Sequence, residues 1–291
     1  MVPASEYLRQ PKSFWAQVKL ISMTLGYSKS DSIKEYTIEE IITCLKKHSL
    51  SVKNIVGLDN KITKEGKLLL NYFRFRSKML NTVAKQNFMN REEAKVEFER
   101  LYTRYKPQVS IPFNKQKKEK KHPAYLTGIV NILTEASLGN LNFDPDPRKF
   151  IVITKNQRAL HTLSRRVDGT YPSTTNPYAL WEIKEYYGTT TFGSRVADAV
   201  YETMLDGYEL NELHLKEKID IKHYLIVDDR FTWWECGKSY LCRLIDMLHE
   251  GYLDEIIFGK EIIVRWPKIV KSWPKISTKS TTTDREHLLQ S

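Results

Sequence analysis

Cysteine is scarce in this chain: Cys44, Cys236 and Cys242 are the only three in 291 residues. They are odd in number and lack Cys-x-x-Cys spacing, so neither a disulfide framework nor a zinc ribbon is supported. Each reads as a small core residue, and a reducing cytoplasm is the compartment such usage fits. Long apolar runs are missing as well, so no transmembrane helix is expected. The opening residues MVPASEYLRQPKSFWAQ hold no apolar segment of the kind a secretory leader needs. A phosphate loop is excluded too. Gly237-Lys238-Ser239 ends like one, but Thr232 stands where its first glycine belongs. The histidines are scattered, and no Ser-His-Asp or Cys-His nucleophile emerges from their spacing. His161, on a candidate strand, reads as a satisfied or exposed side chain.

Acidic charge is also in short supply. Asp and Glu number 35 against 46 Lys and Arg, a net charge of +11. That excess favours an anionic partner, of which nucleic acid is the usual one. A basic protein with no such partner is the alternative.

What is present divides the chain into parts. Residues 1–104 read as a helical domain. Phe14, Val18, Ile21 and Leu25 recur at helical spacing, and Ile38, Ile41, Ile42 and Leu45 repeat it behind a Thr37/Glu40 capping pattern. Residues 105–123 read as a basic linker carrying Lys115, Lys117, Lys118, Lys120 and Lys121, a run that is either solvated or laid along a phosphate backbone. Residues 124–264 alternate helix and strand and point to an α/β domain. Strand patterns fall at 150–154, 159–167, 179–186 and 223–227, and 254–264 also has strand character. In the tail, 265–291, Trp266-Pro267-Lys268-Ile269 repeats as Trp273-Pro274-Lys275-Ile276. Its tryptophans either stack on bases or pack back on the domain, and the chain beyond Thr278 has a disordered composition.

One constellation carries chemistry. Val167-Asp168-Gly169 ends a strand-like stretch, with the glycine allowing a turn. Fourteen residues beyond Asp168, Glu182-Ile183-Lys184 lies in the apolar, aromatic stretch ALWEIKEYYG. Side chains alternate along a strand, so Glu182 and Lys184 share a face and Ile183 points into the core. The same Glu-x-Lys spacing at Glu65, Glu93 and Glu119 has no strand pattern around it. A hard cation such as Mg²⁺ takes oxygen ligands, so two carboxylates and a backbone carbonyl suffice, and a lysine neutralises developing charge. The bland alternative is a solvated strand edge with an ion pair. Asp228 and Asp229 follow an apolar strand and read as a strand end or helix cap rather than a second metal site.

The segments RRVDGTYP and LWEIKEYY, with helix, strands, helix and strand around them, resemble the PD-(D/E)XK nuclease superfamily over residues 124–264. The family's proline before the aspartate is replaced here by Val167. The resemblance implies a restriction-endonuclease-like α/β core, a mixed sheet flanked by helices, behind the helical N-terminal domain. It implies Mg²⁺-dependent cleavage of DNA, with Mn²⁺ as a substitute cation. Asp168, Glu182 and Lys184 are the implied catalytic residues, with Glu135 as an added carboxylate from the preceding helix. Asp168, Glu182 and the Ile183 carbonyl are the implied metal ligands. Arg195, at the start of the next helix, is a candidate phosphate contact, as are Lys117, Lys118, Lys120 and Lys121. Arg74 and Arg76, among aromatics, are candidates for reading bases. A fragment starting near Pro123 is then expected to keep the metal site and lose sequence preference. A restriction or anti-phage defence nuclease, acting as a homodimer, fits this plan. A repair or transposition nuclease, an RNA nuclease and an inactive DNA-binding module stay open.

Overall fold

The structure, a computed structural model, describes residues 1–116, 119–187 and 193–274, with the backbone alone over 114–116 and 119–122. The N-terminal third is helical. α1 (Ser5–Leu8) is a single turn, and α2 (Lys12–Leu25) buries Phe14, Trp15, Val18 and Ile21. β1 (Ser28–Lys29) and β2 (Ser32–Ile33) form a minimal hairpin. α3 (Ile38–Lys47) opens on the expected capping box, in which Thr37 and Glu40 satisfy each other's amides. α4 (Lys64–Lys78) runs through the π-helical stretch Met79–Ala84 into the short α5 (Lys85–Asn87). α6 (Arg91–Tyr105) starts on a second capping box, Asn90 with Glu93.

The stretch read as a linker contains a hairpin, β3 (Phe113–Gln116) with β4 (Glu119–Pro123). α7 (Tyr125–Leu138), the helix expected before the motif, is buried on more than one side. A second hairpin, β5 (Val152–Lys155) with β6 (Arg158–Thr162), leads to β7 (Gly169–Tyr171) and β8 (Ala179–Glu185). α8 (Ser194–Glu217), β9 (Lys222–Asp228), α9 (Lys238–His249), β10 (Glu255–Phe258) and α10 (Ile262–Val270) follow. Ile262–Val264, expected as strand, is therefore helix.

The central sheet is mixed, in the order β10-β9-β8-β7. β7 is antiparallel to β8, while β8, β9 and β10 are parallel. Parallel neighbours cannot be joined by a tight turn, and α8 and α9 supply the two crossovers. The fold is thus α/β, as the alternation implied. Both sheet faces are covered. Trp181, Ile183, Tyr224 and Ile226 pack under α7 and α10, whereas Leu225, Val227, Ile256 and Phe258 pack under α8 and α9. Trp266 and Trp273, the repeated tail tryptophans, are fully buried, with ring centroids 5.5 and 5.6 Å from that of Trp181. Burying an indole is worth about 4–6 kcal/mol as an upper bound before side-chain entropy is subtracted. These two tryptophans are core residues and do not stack on bases.

The helical N-terminal part is welded to this core. Leu80, Ala84 and Phe88 belong to the cluster under α9, and Met89 and Phe98 to the one under α7. Arg76 Nη1 lies 3.0 Å from both carboxylate oxygens of Asp246 on α9, and its Nη2 lies 2.9 Å from Ser22 Oγ. Among the described residues no helix is long and apolar enough to cross a membrane.

Candidate active site

The antiparallel pairing of β7 with β8 brings the two halves of the acidic motif together. Gly169 pairs with Trp181, and the Asp168 amide donates to the Trp181 carbonyl at 3.2 Å. Asp168 therefore stands across from Glu182, and residues facing each other in such a pair share a face. Asp168 opens a strand here, where the sequence suggested that it closes one. Gly169 is needed for close approach rather than for a turn. A Cβ on it would lie 2.1–2.3 Å from Trp181 ring atoms.

Alternation along β8 sends Trp181 and Ile183 under α7, and Glu182 and Lys184 toward α8. Backbone polar groups alternate too. Trp181 and Ile183 present theirs to the β7 edge, where Asp168 Oδ2 accepts the Ile183 amide at 2.8 Å. The Ile183 carbonyl shares that edge. Lys184 Nζ lies 2.8 Å from Glu182 Oε2 and 2.8 Å from Glu202 Oε2.

Three further residues complete the cluster, and the motif did not reveal them. Arg165 Nη1 lies 3.0 Å from Glu182 Oε1 and 2.6 Å from Asp206 Oδ2, and its Nη2 lies 3.3 Å from Glu202 Oε2. Glu202 and Asp206 stand one helical turn apart on α8, which crosses the face Glu182 and Lys184 point to. That i, i+4 carboxylate pair on the helix right after the motif was the available signal. Glu182 and Asp206 are buried, whereas the Glu202 side chain is 42% exposed and marks the open side.

Electrostatics divide these groups. Burial, then the Glu182 charge, push Asp168 up to about 7, although part of the residue remains in contact with solvent. Burial, then the same charge, push Asp206 up to about 7. Burial would raise Glu182 as well, but the Lys184 and Arg165 charges outweigh it and hold Glu182 below the usual carboxylate range. Burial works against the Lys184 ammonium, yet Glu182 and Asp168 hold it above the ordinary lysine value. Besides Glu202, the cluster thus contains one firmly ionised carboxylate, two carboxyls that ionise near neutrality and two fixed cations. Asp206 Oδ1 is buried without a hydrogen-bond partner, whereas Glu182 Oε1 faces the Arg165 guanidinium.

Other expected site residues lie elsewhere. Glu135 accepts the Gln108 amide at 3.0 Å and sits on α7, across the sheet from Glu182 and Lys184. The α7 residue that reaches this end of β8 is Thr127, whose amide donates to Glu185 Oε2 at 2.8 Å, and Glu135 is about 12 Å further along the helix. Glu135 is thus not brought to the site. Arg76 is fully buried in its pair with Asp246 and cannot read bases, and the neighbouring Tyr72 and Phe73 are also fully buried. Arg74 is exposed on α4, and Arg195 is exposed on the first turn of α8. Lys117, Lys118 and the loop 188–192 lie outside the described residues, as do the side chains of Lys115, Lys120 and Lys121. Asp228 is structural: its carboxylate accepts the Met89 and Asp229 amides and the Tyr187 hydroxyl. Asp229 caps Thr232, as its strand-end position suggested. Cys44 and Cys242 are buried, but Cys236 is exposed rather than a core residue.

Among the described residues no group of three or more His, Cys, Asp or Glu side chains is arranged to hold a metal ion. Two carboxylates and one carbonyl are what the β7–β8 edge offers. Two family models match the chain. One is a domain of unknown function, DUF7687, over residues 89–273, and the other a domain of unknown function, DUF7690, over residues 1–83. No curated protein and no solved structure matches. The first model spans more than half of the 291 residues, so the chain belongs to the DUF7687 family.

Proposed function

We propose that this DUF7687 protein is a Mg²⁺-dependent endodeoxyribonuclease with a restriction-endonuclease-like core and Asp168, Glu182 and Lys184 at its centre. The observation that carries the reading is the bond from the Ile183 amide to Asp168, with Glu182 opposite Asp168 and Lys184 beside Glu182. That order of helix, strands, crossover helix and strand is consistent with the core.

The donor set fits a hard cation that keeps most of its shell as water. Asp168, Glu182 and the Ile183 carbonyl would hold it, with Glu182 Oε1 turning from the Arg165 guanidinium toward the cation. Such a cation supplies a Lewis acid for the phosphate and lowers the pKa of a bound water. The chain's own groups do the remaining work. Lys184 stays protonated, so it stabilises charge on the phosphate oxygens and does not act as a base. Arg165 holds Glu182, Glu202 and Asp206 in register. Asp168, whose carboxyl ionises near neutrality, would hold the cation as its carboxylate.

A homodimer would supply two centres for cutting both strands, and a restriction or anti-phage defence role rests on analogy with the fold. One observation favours a second reading, a DNA-binding module that does not cut: Arg165 and Lys184 already match the Glu182 charge. The test is to incubate the purified chain with duplex DNA, single-stranded DNA and RNA, with and without Mg²⁺. Cleavage of DNA that stops on chelation is expected. DNA binding without cleavage at any Mg²⁺ or Mn²⁺ concentration would select the second reading.

A further inference from the structure

Beside the carboxylate centre lies an open groove of about 490 Å³ that ends on Asp168. Its size falls within the roughly 300–1,000 Å³ usual for small-ligand sites. Arg148, Arg165 and Arg166 line it together with Phe150. Phe150 is 51% exposed, a large aromatic ring left in water on a strand-flanking loop. Arg165 is committed to the buried carboxylates, but Arg166 is exposed and makes no ion pair among the described residues. Arg148 pairs only with Asp146, on the surface, where such a pair is readily exchanged for a phosphate.

We propose that this groove receives an unpaired nucleic-acid strand, with one base stacked on Phe150 and adjacent phosphates on Arg148 and Arg166. This deepens the nuclease reading and rests on it, since it leads the strand to Asp168. Charge decides the polarity of the occupant, because three arginines line the groove against Asp146 and Asp168, and the chain has a net charge of +11. The ring decides its pairing state. A base inside a duplex is already stacked on both faces, whereas an unpaired base has a free face for an aromatic side chain. A groove that ended on lysines alone would be indifferent to pairing.

The experiment measures binding by fluorescence anisotropy in chelator, so that cleavage plays no part. The probes are a labelled 12-nucleotide oligodeoxythymidine and a blunt-ended duplex of two complementary strands. Phe150→Ala should weaken oligothymidine binding by about 5- to 150-fold, the range for stacking one base on one ring, and change duplex binding less than about twofold. Phe150→Trp should restore it. Arg148→Ala with Arg166→Ala should flatten the salt dependence by about 1.4 in log–log slope, about 0.7 for each single-strand phosphate that is no longer neutralised. Phe150→Ala binding the single strand as tightly as the parent, or losing both probes equally, overturns the proposal. Those outcomes leave cleavage untouched as a separate readout. Loss of the groove's role with Mg²⁺-dependent cutting intact would reject this inference alone, and binding as described without any cutting would reject the nuclease reading alone.

Discussion

The Asp168 carboxylate accepts the Ile183 amide hydrogen at 2.8 Å, and this bond locks the start of β7 to the end of β8. It fixes the aspartate at the one sheet edge where Glu182 and the Ile183 carbonyl are also presented. It also makes Asp168 a compromise, because the residue sits beside a second, ionised carboxylate.

That compromise has a pH signature. The Asp168 carboxyl rises from an ordinary 3.8 to about 7. A folded-state pKa above the unfolded one means that the proton stabilises the native state. The contribution is fully present below about pH 4 and is lost as the pH rises through about 7. Asp168→Asn keeps an acceptor for the Ile183 amide and never ionises. Without divalent cation, the variant should unfold several degrees higher than the parent at pH 8 and by clearly less than that at pH 5. Thermal unfolding at the two pH values is the check. An equal shift at both would mean that Asp168 is already ionised at pH 5.

Arg76 and Asp246 join the helical N-terminal part to α9 through a fully buried ion pair. Removing one partner of such a pair costs about 3–5 kcal/mol, because the other is left charged and dry. Arg76→Ala should lose about that much in urea unfolding and should not change the DNA affinity of the protein that remains folded. Arg76→Met combined with Asp246→Leu should lose clearly less. The shared clusters carry the same message: a fragment starting near Pro123 lacks Leu80, Phe88, Met89 and Phe98, and should aggregate rather than retain a site. A soluble, cooperatively unfolding fragment would contradict this.

Gly169→Ala tests the close approach under the motif. Its Cβ would meet a buried indole wedged against two others, so neither ring nor strand can yield cheaply. Overpacking of this kind costs about 1–3 kcal/mol. The loss should be visible in equilibrium unfolding, and Asp168, one residue away, should be displaced with it. Unchanged stability would mean that the sheet shifts freely there.

The legible parts of the sequence were those with a local cause. Thr37 and Glu40 announced α3, and strand alternation placed Glu182 and Lys184 on one face. What stayed hidden depended on tertiary neighbours. Arg76 looked like a base reader because nothing in its own segment names Asp246, which lies 170 residues away. Trp266 and Trp273 looked like a tail because the surface that buries them comes from α7 and β8. Glu135 failed for a topological reason: α7 covers the face of the sheet that Ile183, and not Glu182, points to. Arg165 stayed hidden, and the Glu202–Asp206 spacing carried no meaning by itself, because their roles exist only once α8 crosses over β8.

Asp168 and Glu182 are proposed to form a cutting centre. The direct measurement is the rate of supercoiled plasmid cleavage at saturating Mg²⁺ for the parent, Asp168→Ala and Glu182→Ala, each first shown by circular dichroism to be folded. The expected result is Mg²⁺-dependent cleavage by the parent and at least a hundredfold loss, about 2.7 kcal/mol or more of barrier, in each variant. Cleavage by either folded variant at the parent's rate would contradict it.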